Sequence, residues 1–144
     1  MKERSVTHST FVIERSYPAA VNRVFAAFSD PAKKRCWFAE GEELAPEEFQ
    51  MDFRVAGRER VRFCSKDGKL TFTNDTLYLD IAPDMHIVFA YTMSVGDQRI
   101  SSSQATVEFL AAQKGTNLIF TDQGAYFKGA DGPQIRQDGW TKLL

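Results

Sequence analysis

The residue types that could do chemistry are few and scattered. His8 and His86 lie far apart, with no ligand cluster at metal-binding spacing around either. Ser101-Ser102-Ser103 stands beside neither histidine; without a nucleophile–base spacing it reads as a polar strand start. The chain has no GxSxG elbow, no Walker-type phosphate loop, no GxGxxG and no HExxH, so no catalytic residue, metal ligand or cofactor is assigned. Cys36 and Cys64 are its two cysteines and have no CxxC spacing, as expected of reduced thiols. Cys36, next to Trp37, reads as a small core residue rather than a nucleophile. One acid is out of place. Asp122 continues the alternation of Leu118 and Phe120, which aims a carboxylate inward, where it needs a partner.

The elements that must position these residues follow from periodicity. Phe11, Ile13 and Tyr17 alternate along 10–17, the period of a strand with one buried face, and Pro18 ends it. Val21, Val24, Phe25 and Phe28 then fall at i, i+3, i+4, i+7, an amphipathic helix. Asp30-Pro31 breaks that helix and starts a second one, carrying Lys33 to Phe38. A Glu-rich linker runs from Glu40 to Glu48. Segments near 49–55, 59–65, 69–81, 86–95, 101–111 and 116–123 have period two. The turn residues Asp67-Gly68, Pro83-Asp84, Gly96-Asp97 and Lys114-Gly115 separate several of them, which predicts an antiparallel meander. In the 69–81 segment the apolar parity flips between Phe72 and Leu77, so a bulge is expected near Asn74-Asp75. The last element is a helix from Asp131-Gly132-Pro133 to Leu144, with Ile135, Gly139, Trp140, Leu143 and Leu144 expected on its inner side. Gly139 inside a helix implies close approach to the sheet or room for a ligand. Strand, two helices, six strands, helix is one α+β domain over 1–144.

Composition excludes several functions. The 144 residues carry 18 Lys+Arg and 19 Asp+Glu, so the basic excess of a nucleic-acid binder is missing. No apolar run is long enough for a membrane span, and the polar start Met1-Lys2-Glu3-Arg4-Ser5 leads into no signal-peptide core, so a cytoplasmic protein is expected. The 12 Phe stand out, because phenylalanine brings large apolar area without a polar handle. Such a core is either simply Phe-rich or not fully closed by its own side chains.

Order and local motifs together resemble a known family. The stretches are His8-Ser9-Thr10-Phe11-Val12-Ile13-Glu14-Arg15, Val24 to Pro31, Trp37-Phe38, Asp52 to Gly57, Gly115 to Phe127 and Arg136-Gln137-Asp138-Gly139-Trp140. They resemble the heat-shock protein 90 ATPase activator homologue-like branch of the START-like, birch-pollen-allergen-like helix-grip superfamily. The resemblance implies a curved antiparallel seven-stranded sheet, with two short helices after strand one and a C-terminal helix across the concave face. Ala56 stands where a second Gly is commoner in the family, which weakens the expectation of a tight bulge there. The last helix is also shorter than in relatives, which implies a more open mouth beside Leu143 and Leu144, or a homodimer that covers it. First and last strands are neighbours in this fold, so an Arg15–Asp122 pair is expected, as a structural clasp or a ligand anchor.

Val61, Phe63, Phe89, Tyr91, Met93, Val107, Phe109, Phe120 and Asp122 would line the concave face opposite Trp140 and Leu143. They serve either as plain core or as the apolar wall of a pocket with a few placed polar groups. Arg58, Arg60 and Arg62 alternate on the other face, a solvated ladder or an anion surface. The leading expectation is a non-enzymatic binder of a small hydrophobic or aromatic molecule. A second is a cyclase- or hydrolase-like enzyme of the same fold acting on a hydrophobic metabolite, with Asp122, Tyr91 or His86 as acid or base. A third is a co-chaperone-like module for a heat-shock ATPase. The relatives with that activity carry an added N-terminal domain, for which the strand order here leaves no room.

Overall fold

The alternation of Phe11 and Ile13 builds β1 (Val6–Tyr17), which starts four residues before the expected strand. The structure is a computed structural model and describes residues 4–40, 44–65, 67–128 and 132–144; Gly41 of the acidic linker and the expected helix start at Asp131 lie outside these. α1 (Val21–Ser29) buries Val24, Phe25 and Phe28, the stripe that its spacing requires. Asp30 then caps α2 (Pro31–Lys34), Oδ1 accepting from the backbone N–H of Ala32 at 3.0 Å and of Lys33 at 3.4 Å. The chain widens into a π-helical turn over Arg35–Ala39, which buries Phe38 and Ala39. That turn leaves Cys36 exposed, against the expected core position.

The remaining strands are β2 (Leu44–Met51), β3 (Arg58–Ser65), β4 (Thr71–Ala82), β5 (His86–Val95), β6 (Gln98–Ala112) and β7 (Gly115–Phe127). They form one seven-stranded sheet in the order β1-β7-β6-β5-β4-β3-β2. Every neighbouring pair is antiparallel. β1 closes back on β7, with Phe11 opposite Asp122 and Ile13 opposite Phe120.

Three local details differ from expectation. β2 begins inside the Glu-rich stretch and contains Pro46; this is an edge strand, where a missing N–H is tolerated, and its register shifts between Pro46 and Glu48. The β4 bulge falls between Tyr78 and Asp80 rather than at Asn74-Asp75. Asn74, Thr76 and Tyr78 therefore face inward, and Leu79 is left exposed. Ala56 takes the left-handed conformation, φ 69°, despite its side chain. A tight turn forms there all the same, Ala56 N–H donating to the Tyr78 carbonyl at 2.8 Å.

α3 (Pro133–Leu143) presents Arg136 and Trp140 inward. Ile135 and Leu143 are exposed, which corrects the expected inner face by about one residue around the helix. Gly139 meets nothing within 4 Å, so close packing against the sheet does not explain it. The helix end is tied to β1: Arg15 Nη2 donates to the Thr141 carbonyl at 3.2 Å and the Tyr17 hydroxyl to the Leu144 carbonyl at 2.7 Å.

Candidate functional site

The expected concave-face residues separate into two neighbourhoods. Val61, Phe63, Phe89, Tyr91, Val107, Phe109, Phe120 and Trp140 all belong to the buried core, with Met93 packed against it at half-burial. Phe109 lies under α1, its ring 5.3 Å from Phe25 and 5.4 Å from Phe28, rather than beside Trp140. Trp140 instead sits 4.5 Å from Phe120, 5.6 Å from Phe38 and 6.1 Å from Tyr91. Its indole fills the space between α3 and the sheet. Leu143 is exposed and is not part of that core. An open depression exists elsewhere, bounded by Pro18, Val21, Ala111 and Lys114, away from the concave face.

Under α3 the apolar wall is interrupted by a polar cluster. Strands β5, β6 and β7 bring Tyr91, Ser103 and Asp122 onto one face, since Tyr91 is opposite Ser103, and Ala105, two residues on, is opposite Asp122. The Tyr91 hydroxyl donates to Asp122 Oδ2 at 2.5 Å. It accepts from Trp140 Nε1 at 3.1 Å and from Arg136 Nη1 at 3.4 Å. Arg136 Nη2 donates to Ser101 Oγ at 2.8 Å, and the guanidinium lies over the rings of Tyr91 and Tyr126. Gly124 is required here, because a Cβ would come within 2.7 Å of the Tyr126 ring. Asp122 is wholly buried, and its Oδ1 has no hydrogen-bond partner. Burial pushes its carboxyl up to about 6, against the opposing pull of the Tyr91 hydrogen bond and the Arg136 charge. The Tyr91 hydroxyl is raised as well, by burial first and by the Asp122 charge second.

Arg15 is not Asp122's partner. It pairs with Leu118 in the β1–β7 register, four positions from Phe11–Asp122, and turns to the end of α3. The cation that reaches the Asp122–Tyr91 pair is Arg136. It precedes Trp140 by one helical turn, and that spacing was the signal available in the sequence.

A second buried cluster escaped sequence reasoning. Lys34 and Glu59, 4% and 2% exposed, form an ion pair at 2.7 Å. The Tyr78 hydroxyl donates to the same Glu59 Oε1 at 2.5 Å. The Lys34 ammonium lies 4.9 Å from the Phe38 ring centre and 5.7 Å from that of Phe89. Glu59 shares parity with Val61 and Phe63, so an inward acid was legible; Lys34, from a four-residue helix, was not. On the opposite face Arg60 pairs with Asp75 at 3.1 Å, both about half exposed, as a solvated ladder would. His86 bonds Asp80 at 2.7 Å in partly exposed surroundings and joins neither cluster. Among the described residues no group of His, Cys, Asp and Glu could hold a metal ion.

Residues 18–144 match the family model for Activator of Hsp90 ATPase homolog 1-like protein. Among solved structures, the chain is similar to a protein of Rhizobium leguminosarum, with 40% identity and a TM-score of 0.93 over 99% of this chain and 93% of that one. It is similar to a Rhizobium loti protein at 45% identity and a TM-score of 0.90, covering 98% and 95% of the two chains. A Chromobacterium violaceum protein, at 23% identity and a TM-score of 0.78 over 94% and 91%, shares the fold. No functionally curated protein matches the chain.

Proposed function

The chain belongs to the Activator of Hsp90 ATPase homolog 1-like family, and from that premise we propose that it binds a small apolar or aromatic molecule, without catalysis, between the curved sheet and α3. The family's fold supports a ligand-binding or co-chaperone-like role in general. The observation that favours the ligand is Asp122: a wholly buried carboxylate among aromatic rings, with one oxygen engaged and the other unpartnered. An interior built only for stability gains little from such a group, because removing a carboxylate from water costs several kcal/mol, of order, even after relaxation. A ligand takes the volume that Trp140 now fills by displacing the indole from Phe120 and Tyr91. The apolar wall supplies affinity, and the Tyr91–Asp122–Arg136 cluster fixes orientation. No described helix is long and apolar enough to cross a membrane, and the two cysteines are free; both agree with action in the cytoplasm.

Native mass spectrometry of freshly purified protein tests this reading by detecting a co-purifying small molecule. In parallel, a Trp37→Phe background makes Trp140 the sole indole, and its emission should shift on titration with naphthalene-type probes. Absence of both a bound species and a shift, with the protein folded, would sink the reading. Stimulation of a heat-shock ATPase above background on mixing would favour the co-chaperone role instead.

A further inference from the structure

The hydrogen-bond balance of the interior bears on what kind of molecule it takes up, an inference that rests on the concave-face reading above. The donors of Lys34, Tyr78, Tyr91, Trp140 and Arg136 have acceptors within the protein. Lys34 Nζ donates to Glu59 and Tyr78, and the Tyr78 hydroxyl to Glu59. Tyr91 donates to Asp122, Trp140 Nε1 to Tyr91, and Arg136 to Tyr91 and Ser101. The unpartnered atoms on this face include two carboxylate oxygens, Glu59 Oε2 and Asp122 Oδ1, and the Ser103 hydroxyl. Arg62 Nε also lacks a partner, but Arg62 alternates with Glu59, Val61 and Phe63 and belongs to the other face of β3. An aromatic run joins the two acids: Tyr78 to Phe89 at 6.3 Å and Phe89 to Tyr91 at 5.9 Å. What these two carboxylate oxygens lack is a donor.

We propose that the ligand is a neutral or cationic aromatic molecule with a hydrogen-bond donor, a phenolic hydroxyl or an amine, and that this donor sits on Asp122 Oδ1 and Ser103 Oγ. A donor aimed at a buried carboxylate makes a charge-assisted bond, roughly twice as strong as a neutral one. A molecule without the donor leaves the carboxylate oxygen unpaired and is rejected for that reason. A fatty acid or aromatic carboxylate fares worse, since it brings a second negative charge to a site of low dielectric. Arg136 and Lys34 do not reverse this preference, because both cations are already committed to hydrogen bonds within the protein. The unprotonated Asp122 is the accepting form above its raised titration point of about 6.

The test is calorimetric titration at about pH 7.5 with three molecules of one shape: naphthalene, 2-naphthol and naphthalene-2-carboxylate. The expected order has 2-naphthol tightest, by about tenfold or more over both others. Asp122→Asn and, independently, Ser103→Ala should each shrink the ratio of 2-naphthol to naphthalene affinity severalfold in the folded protein. Failure of all three molecules to bind the folded protein would strike the concave-face reading itself. Naphthalene-2-carboxylate binding as well as 2-naphthol would overturn the donor inference and leave the concave-face reading intact. A naphthol preference that survives in both variants would overturn the assignment to Asp122 and Ser103.

Discussion

Tyr91 and Asp122 come from strands with β6 between them, yet the Tyr91 hydroxyl donates to Asp122 Oδ2 at 2.5 Å beneath Trp140 and Arg136 of α3. That bond places the buried acid under the helix that covers it, so the charge state of Asp122 and the seating of α3 are physically connected.

Protonation of Asp122 should stabilise the fold. Burial raises its carboxyl from 3.8 to about 6, so the folded state holds a proton where the unfolded chain has lost it. The contribution is fully present below about pH 4 and is lost as pH rises through about 6. Its size is on the order of 3 kcal/mol. Urea unfolding of the wild type and Asp122→Asn across this range isolates it, because other groups cancel in the difference. The wild type should gain on the variant as pH falls from about 7 to about 4.5. A difference that stays flat would show that Asp122 is solvated.

Trp140→Ala should cost about 3–5 kcal/mol, as large aromatic truncations in a packed core do. Leu143→Ser, on the exposed side of the same helix, should stay within about 0.5 kcal/mol of the wild type. Gly139→Ala should stabilise by about 1 kcal/mol, since an added methyl meets nothing and helix propensity improves. Chemical denaturation of the three variants reads the orientation of α3. A loss below about 1 kcal/mol for Trp140→Ala would mean that α3 does not grip the sheet.

Removing one member of the Lys34–Glu59 pair should be worse than removing both. Lys34→Met leaves Glu59 buried and uncompensated, at a cost of about 3–5 kcal/mol. The double variant Lys34→Met/Glu59→Leu should recover most of that loss, since apolar replacement of a buried pair is often neutral. Additive losses in a double-mutant cycle would contradict the buried pair.

Cys36 is exposed and Cys64 half-buried, and both are free thiols. Ellman's reagent should therefore modify Cys36 quickly in the native protein and Cys64 more slowly, without prior reductant. Burial and the nearby Glu47 charge hold the Cys64 thiol above its ordinary range, which slows it further. Equal rates for the two would mean that β3 opens freely at its end.

Periodicity alone was enough for the order of elements. Phe11 and Ile13 at period two, and Val24, Phe25 and Phe28 at helical spacing, bury the faces they must, because burial of one face is what makes each pattern stable. The Leu118, Phe120, Asp122 alternation likewise made Asp122 an inward acid before any partner was known. Its partners were a different matter. Whether Arg15 or Arg136 answers Asp122 depends on register and on the rotation of α3, which differ by small steps that no local pattern encodes. A helix with Ile135, Arg136, Gly139, Trp140 and Leu143 has two nearly equivalent candidate faces by composition. The packing of Trp140 on Phe120, with hydrogen bonds for both its own N–H and Arg136, decides between them. Lys34 was hidden for a related reason: a lysine reads as solvent-facing until a distant Glu59 and Tyr78 supply the charge and hydroxyl that make its burial tolerable.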